Sequence, residues 1–230
     1  MIFQEPMTSL NPVFRVSRQM REVYQTHTEL SKQEIDEACI ESLRRVGIPD
    51  PEKKFFAYPH ELSGGLRQRV MIAMALSSQP KLLIADEPTT ALDVTVQAQI
   101  LMLLKQMNAE LGMSVLLITH DFGVVADLAD DVVVMYAGKV VEAGALEAIL
   151  YTPKHPYTKA LIESIPGLQV KRGGRLKSIG GMVPNLLRLP DGCRFAPRCP
   201  YADDLCRQSQ PATEQTDDRT IACFKRGELA

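Results

Sequence analysis

The sequence predicts an α/β layer fold with a small, loop-rich domain appended at its C-terminal end. Three observations predict it. Short apolar runs of strand length, such as Leu82–Ala85 and Val115–Thr119, alternate with longer stretches of helical periodicity. Those helical stretches carry recognisable starts and stops. After about residue 150 the texture changes: Pro153, Pro156, Pro166, Pro184, Pro190, Pro197, Pro200 and Pro211 crowd in, with Gly173-Gly174 and Gly180-Gly181. A chain of 230 residues has room for one medium domain and an appendage of this kind.

In chain order, Ile2-Phe3 is strand-like and is followed by turn formers (Pro6, Ser9, Asn11, Pro12). A helix is expected from Arg15 to His27. Ser31 followed by Glu34 is a capping box, because each side chain can satisfy the other's free backbone N–H. Ile35, Ala38, Cys39, Leu43 and Val46 then follow at helical spacing, and Gly47 stops the helix. The next helix runs from Ser63 to about Ser78, ahead of Pro80. Leu82–Ala85 is a buried strand. Asp93 caps a helix to about Leu111, with Gly112 as its stop. Val115–Thr119 is a second buried strand. A short helix near Phe122–Leu128 leads to strands at Asp131–Met135 and Lys139–Glu142, separated by a turn at Ala137-Gly138. The alternation predicts a largely parallel sheet. The domains expected are 1–150, with a helical part at about 13–80, and 151–230. No internal repeat or low-complexity tract is present.

Composition narrows the function. Hydrophobic content of 45% and charged content of 23% are those of an ordinary globular protein. A net charge of −2 gives no global attraction to nucleic acid. No apolar run reaches the roughly 18 residues of a membrane-spanning helix, and Met1–Pro6 lacks the basic and apolar regions of a signal peptide. The expected place is the cytosol, with membrane association through a partner.

Four elements carry chemistry. In Lys81–Pro88 an apolar strand ends in two carboxylates, Asp86 and Glu87. At a strand's C-terminal edge they face the crevice where α/β sheets bind ligands. Asp86 is placed to hold Mg²⁺, and Glu87 to polarise a water for attack on a γ-phosphate. Alone, the pair fits an exposed acidic turn equally well. In Leu62–Arg69, Ser63-Gly64-Gly65 opens a helix, where free N–H groups and the helix dipole favour an anion. Alone, it reads as a plain N-cap with a hinge. His120 leaves the second buried strand at the same edge as Asp86 if the strands are neighbours. A lone histidine there is more often structural. Gln4, at another strand end, can reach a metal or its water.

Taken in order, Gln4, Ser63-Gly64-Gly65, Asp86-Glu87, Ala91-Leu92-Asp93 and His120 resemble the Q-loop, signature motif, Walker B, D-loop and switch histidine of ABC ATPases. Longer segments sharpen the likeness: Phe3–Pro12, Tyr58–Gly65, Ala85–Thr95, His155-Pro156-Tyr157-Thr158 and Cys193–Pro200 look like the dipeptide/oligopeptide/nickel importer branch. The resemblance implies a P-loop NTPase-like ABC ATPase domain with a helical subdomain, joined to the branch's C-terminal domain. It implies ATP and Mg²⁺ as cofactors and transport-coupled ATP hydrolysis as the activity. Glu87 would be the general base. His120 would contact the γ-phosphate, and Asp86 and Gln4 would serve Mg²⁺. Ser63, Gly64, Gly65 and Gln68 would serve the ATP held by a second ATPase subunit, identical or paralogous, and Asp93 would couple the two sites. Two membrane permease subunits, docking on the helical subdomain, and an external solute-binding protein complete the expected partners, with no nucleic acid. The expected location is the cytoplasmic face of the inner membrane.

One departure stands out. The 230 residues contain no G-x-x-x-x-G-K-[ST]; Gly173–Ser178 has the residue types at the wrong spacing. The resemblance places that loop upstream of Gln4, so the sequence reads as N-terminally truncated. The 230-residue chain alone is expected to bind ATP poorly, with Ile84 and Ile118 bordering an unfilled gap and instability in isolation. The competing readings are an inactive fragment or regulatory partner, an ABC ATPase outside transport, and a zinc-binding module.

Five cysteines are present. Cys39 lies on the apolar face of its helix and reads as a small core residue. Cys193, Cys199, Cys206 and Cys223, separated by five, six and sixteen residues, read as a metal site sooner than as disulfides in a reducing compartment. Zn²⁺ and an iron–sulfur cluster both suit four thiolates. The resemblance favours [4Fe–4S], and buried unliganded thiols are the alternative.

Overall fold

The computed structural model describes residues 1–4, 9–90, 92–165, 178–216 and 218–226. The loop expected around Pro6, Ala91 of the expected D-loop and the Gly173-Gly174 pair lie outside them. The chain divides into two units, residues 1–120 and 121–230.

In the first unit the local signals act as the sequence predicts. Helices α1 (Val16–His27) and α2 (Lys32–Arg45) are joined at a complete capping box, in which Glu34 N–H donates to Ser31 Oγ at 3.4 Å and Ser31 N–H to Glu34 Oε2 at 2.8 Å. A short α3 (Pro51–Phe55) precedes α4 (Gly64–Ser77). Ile35, Cys39 and Leu43 of α2 pack with Val70 and Ile72 of α4 in one hydrophobic core. Burial pushes the Cys39 thiol up to about 12, so it stays neutral there. Helix α5 (Val94–Leu111) starts at Asp93, whose Oδ1 accepts from Val96 N–H at 3.0 Å, and ends at Gly112 with φ +61°.

Strand β1 (Leu82–Asp86) lies parallel to β2 (Ser114–Ile118), pairing Leu82 with Ser114 through to Asp86 with Ile118. Ile2 bridges the other edge of β1 in parallel: Ile2 N–H donates to Ile84 O at 2.8 Å and Asp86 N–H to Ile2 O at 3.0 Å. Leu83 and Ala85 point into the core. On the opposite face Leu116 and Ile118 are 50% and 45% exposed, although parallel sheets are ordinarily covered on both faces. Ile84 is half-buried.

The second unit departs from the expected parallel sheet. After α6 (Phe122–Leu128), strands β3 (Asp131–Tyr136) and β4 (Lys139–Ala145) form an antiparallel hairpin. The reason is the connection. Ala137 and Gly138 have φ +45° and +80°, the two-residue turn that matches strand twist, and a parallel crossover needs a dozen residues or more. The far edge of β4 takes β6 (Arg219–Ile221), which pairs in turn with β5 (Glu214–Gln215), giving the order β3-β4-β6-β5. The parallel ladder thus belongs to the first unit, and strands placed by sequence with residues 1–150 take a tail segment as their neighbour. Helices α7 (Leu146–Tyr151), α8 (Pro156–Glu163) and α9 (Asp204–Gln208) complete the unit.

An ion pair holds this unit together. The Glu142 and Arg219 side chains are 0% and 1% exposed and meet at 2.9 Å. A buried pair is tolerable only when its remaining bonding capacity is used. Glu142 also accepts from the N–H groups of Lys154 (2.8 Å) and His155 (3.0 Å), at the start of α8. Arg219 Nη1 also donates to the carbonyls of Ala148 (3.1 Å) and Thr152 (2.6 Å), at the end of α7. One pair therefore ties β4, β6 and two helix ends. Arg219→Met leaves Glu142 buried without its cation and is expected to lower unfolding free energy by about 3–5 kcal/mol, measured by chemical denaturation; a loss below about 1 kcal/mol contradicts this role.

Candidate functional site

The site grows from the β1–β2 ladder. Because Asp86 pairs with Ile118, the two strands end side by side, and Glu87 N–H donates to Ile118 O at 2.9 Å. The chain then turns sharply. Glu87 has φ +43°, a left-handed conformation unfavourable for a residue with a Cβ. Thr90 N–H closes the turn on Glu87 O at 3.1 Å.

This geometry gathers three side chains on the Glu87 carboxylate. His120 Nδ1 lies 3.1 Å from Oε1, Gln4 Nε2 donates to Oε2 at 2.7 Å, and Thr90 Oγ1 donates to the same oxygen at 2.8 Å. The carboxyl group is held below the usual carboxylate range, first by the Thr90 hydrogen bond and then by that of His120. His120 is 80% exposed and Glu87 24%, so the group sits at a solvent-facing edge. Residues from three places in the sequence thus converge on one carboxylate beside Asp86, the last residue of β1.

Thr90 did not stand out in the sequence. The available signal was a hydroxyl three residues after a carboxylate at a turn, the spacing of local side-chain bonds. Gln68, expected near nucleotide, is instead 1% exposed, and its Nε2 donates to Pro88 O at 2.6 Å. It lies beyond the first turn of α4, on the helix face turned into the protein.

Ser63 caps its own helix, Oγ accepting from Leu66 N–H at 3.4 Å. Gly64 and Gly65 form the N-terminal turn of α4, the positive end of the helix dipole. Gly65 also has a packing reason: a Cβ there would stand 2.7 Å from Val96 Cγ1, so α4 and α5 approach closely at this point. Asp93 is exposed and occupied as the cap of α5.

Within the second unit, Cys193, Cys199, Cys206 and Cys223 line one cavity of about 10 Å³ together with His155, Phe195 and Phe224. Burial raises the thiols of Cys199 and Cys206, and that of Cys223 to about 11. Burial also lowers His155 to about 4, and its Nδ1 accepts from Tyr157 N–H at 3.0 Å. The thiols are gathered, yet among the described residues no group of three or more His, Cys, Asp or Glu is arranged to hold a metal ion. No helix among them is long and apolar enough to cross a membrane.

Comparisons with known proteins give the chain's relatives. Residues 1–90 match the ABC transporter family, and residues 141–206 match the C-terminal region of oligopeptide/dipeptide transporters. The oligopeptide transport ATP-binding protein OppD of Salmonella typhimurium is 52% identical over 225 residues, 98% of this chain and 67% of the relative. A putative peptide import ATP-binding protein of Brucella ovis is 53% identical over all of this chain and 70% of its own length. The dipeptide transport ATP-binding protein DppD of Haemophilus influenzae is 51% identical over 97% of this chain and 67% of its length. Among solved structures, the ATP-binding cassette MJ0796, as a dimer in a post-hydrolysis state with ADP and Pi, aligns with a TM-score of 0.55 at 29% identity, covering 63% of this chain and 61% of that one. The protein cbiO1 of Clostridium perfringens, described as part of the ABC transporter complex cbiONQ, gives 0.57 at 33% identity over 66% of this chain and 58% of its own.

Proposed function

Because the chain belongs to the ATP-binding subunits of ABC-type oligopeptide and dipeptide importers, we propose that it uses the Glu87 group to hydrolyse ATP and so drives peptide import. The observation that carries this reading is the convergence of His120 and Gln4 on the Glu87 carboxylate. Glu87 takes a proton from a water as that water attacks the γ-phosphorus, and the bond to the ADP oxygen breaks. His120, at the same edge, donates to a γ-phosphate oxygen. Asp86 and Gln4 fit Mg²⁺: a carboxylate and an amide oxygen are the hard donors that ion takes, and Gln4 engages Glu87 through its nitrogen, leaving its oxygen for the metal. Mg²⁺ supplies charge neutralisation on the phosphates.

Ser63, Gly64 and Gly65 serve the ATP of a second ATPase subunit, and exposed Asp93 lies at that interface. The dimeric cassette found among the structural neighbours supports this arrangement. Two permease subunits dock on the helical subdomain, residues 13–80, and hold the protein at the cytoplasmic face of the inner membrane; a solute-binding protein delivers the cargo outside. The names of the relatives support peptide as cargo.

The experiment is ATP turnover and peptide uptake by the importer purified with its membrane subunits. Glu87→Gln is expected to lower kcat by about 10²- to 10⁴-fold with ATP still bound, and His120→Ala to lower it as well. Turnover unchanged in Glu87→Gln refutes the assignment.

A finer reading places a metal on Cys193, Cys199, Cys206 and Cys223, iron–sulfur or zinc. Their shared cavity supports it, and no ligating arrangement among the described residues does. Metal analysis and the visible spectrum of protein purified without oxygen separate the outcomes. Bound zinc or iron with sulfide supports the site. Metal-free protein whose thiols react with a disulfide reagent only on unfolding makes them packing residues.

A further inference from the structure

We infer that Thr90 is a positioning residue for the hydrolytic step: its hydroxyl fixes the direction of the Glu87 carboxylate, and Gln68 fixes the turn on which both stand. This rests on the reading of Glu87 as general base. Of the three side chains on that carboxylate, Gln4 and His120 have work elsewhere, on the metal and on the γ-phosphate. Thr90 has no such second task, and its Oγ1 donates to Oε2 at 2.8 Å. Thr90 suits this task. It is half-buried, three residues from Glu87, and its branched Cβ restricts χ1, so little entropy is lost in holding the hydroxyl.

The turn itself is under strain and needs a second hold. Glu87 has φ +43°, a conformation that persists only where its surroundings enforce it. Gln68 supplies that hold from a different element. Its amide is buried and donates to Pro88 O at 2.6 Å, one residue beyond Glu87 and two before Thr90. Gln68 stands on α4, the helix whose N-terminus presents Ser63 and Gly64.

The test uses the importer purified with its membrane subunits, with kcat and KM for ATP measured separately. Thr90→Val keeps the shape and removes the hydroxyl. It is expected to lower kcat by about 10- to 100-fold, the scale of a misplaced catalytic group, with KM nearly unchanged. Thr90→Ser restores the hydroxyl and is expected to return kcat to within about 3-fold of the parent. Gln68→Met keeps the volume, removes the donor and is expected to lower kcat in the same sense. If Thr90→Val does not assemble, Thr90→Ala makes the same comparison. A parental kcat in Thr90→Val, a Thr90→Ser variant as slow as Thr90→Val, or a loss confined to KM overturns the assignment of Thr90. Full turnover in Glu87→Gln overturns the reading of Glu87 beneath it.

Discussion

The candidate site depends on one backbone constraint, the parallel pairing of Leu82–Asp86 with Ser114–Ile118. That register ends both strands at the same level. It lets Glu87 N–H reach Ile118 O and sets His120, two residues further, against the Glu87 carboxylate. A slip of one residue would send every side chain of a strand to the other face and separate the two. The pairing is in turn anchored by Leu83 and Ala85 in the core and by Ile2 on the outer edge of β1. Gln4 reaches the site because Ile2 is so held. The geometry of the site is thus a product of strand register. The left-handed turn at Glu87 costs of order 1–3 kcal/mol, offset by the hydrogen bonds that the Thr90 hydroxyl and the Gln68 amide make to it.

The second unit rests on a different kind of constraint. Two charges buried among β4, β6 and the ends of α7 and α8 are stable only because each has its bonding capacity filled. Among its described residues the proline-rich tail has little regular structure with which to build a core. Its order comes from that pair and from the ring cluster of Tyr136, Tyr157 and Phe195, with centroids 4.6 to 5.3 Å apart.

Features encoded within a few residues were legible in the sequence. The Ser31–Glu34 capping box, the Asp93 cap, the Gly112 stop and the Ala137-Gly138 turn each require only local chemistry, and each forms as read. The identities of neighbouring strands were not legible. The strand at 131–136 alternates buried and exposed residues, the mark of an antiparallel strand with one face covered, yet nothing local names Arg219–Ile221 as the next strand but one. For the site, the order of motifs pointed to Glu87, His120 and Gln4, and the structure places them together. The burial of Gln68 was not legible, because its sequence position beside the signature glycines does not disclose which face of α4 it occupies. Thr90 was missed because its bond exists only once the turn at Glu87 is made. The four cysteines gather around one cavity, as their clustering suggested, whereas the ligand geometry a metal requires is a property of three dimensions that spacing does not convey.

The central claim is that Glu87 and His120 act on one ATP while Ser63 of the same chain serves another. A cryo-EM structure of the intact importer carrying Glu87→Gln and trapped with ATP and Mg²⁺ tests it directly. The account expects residue 87 and His120 beside one γ-phosphate, and Ser63 Oγ at about 3 Å from the γ-phosphate of the nucleotide held by the partner subunit. A structure in which Ser63 and His120 of one chain contact the same nucleotide, or in which neither approaches a phosphate, would contradict it.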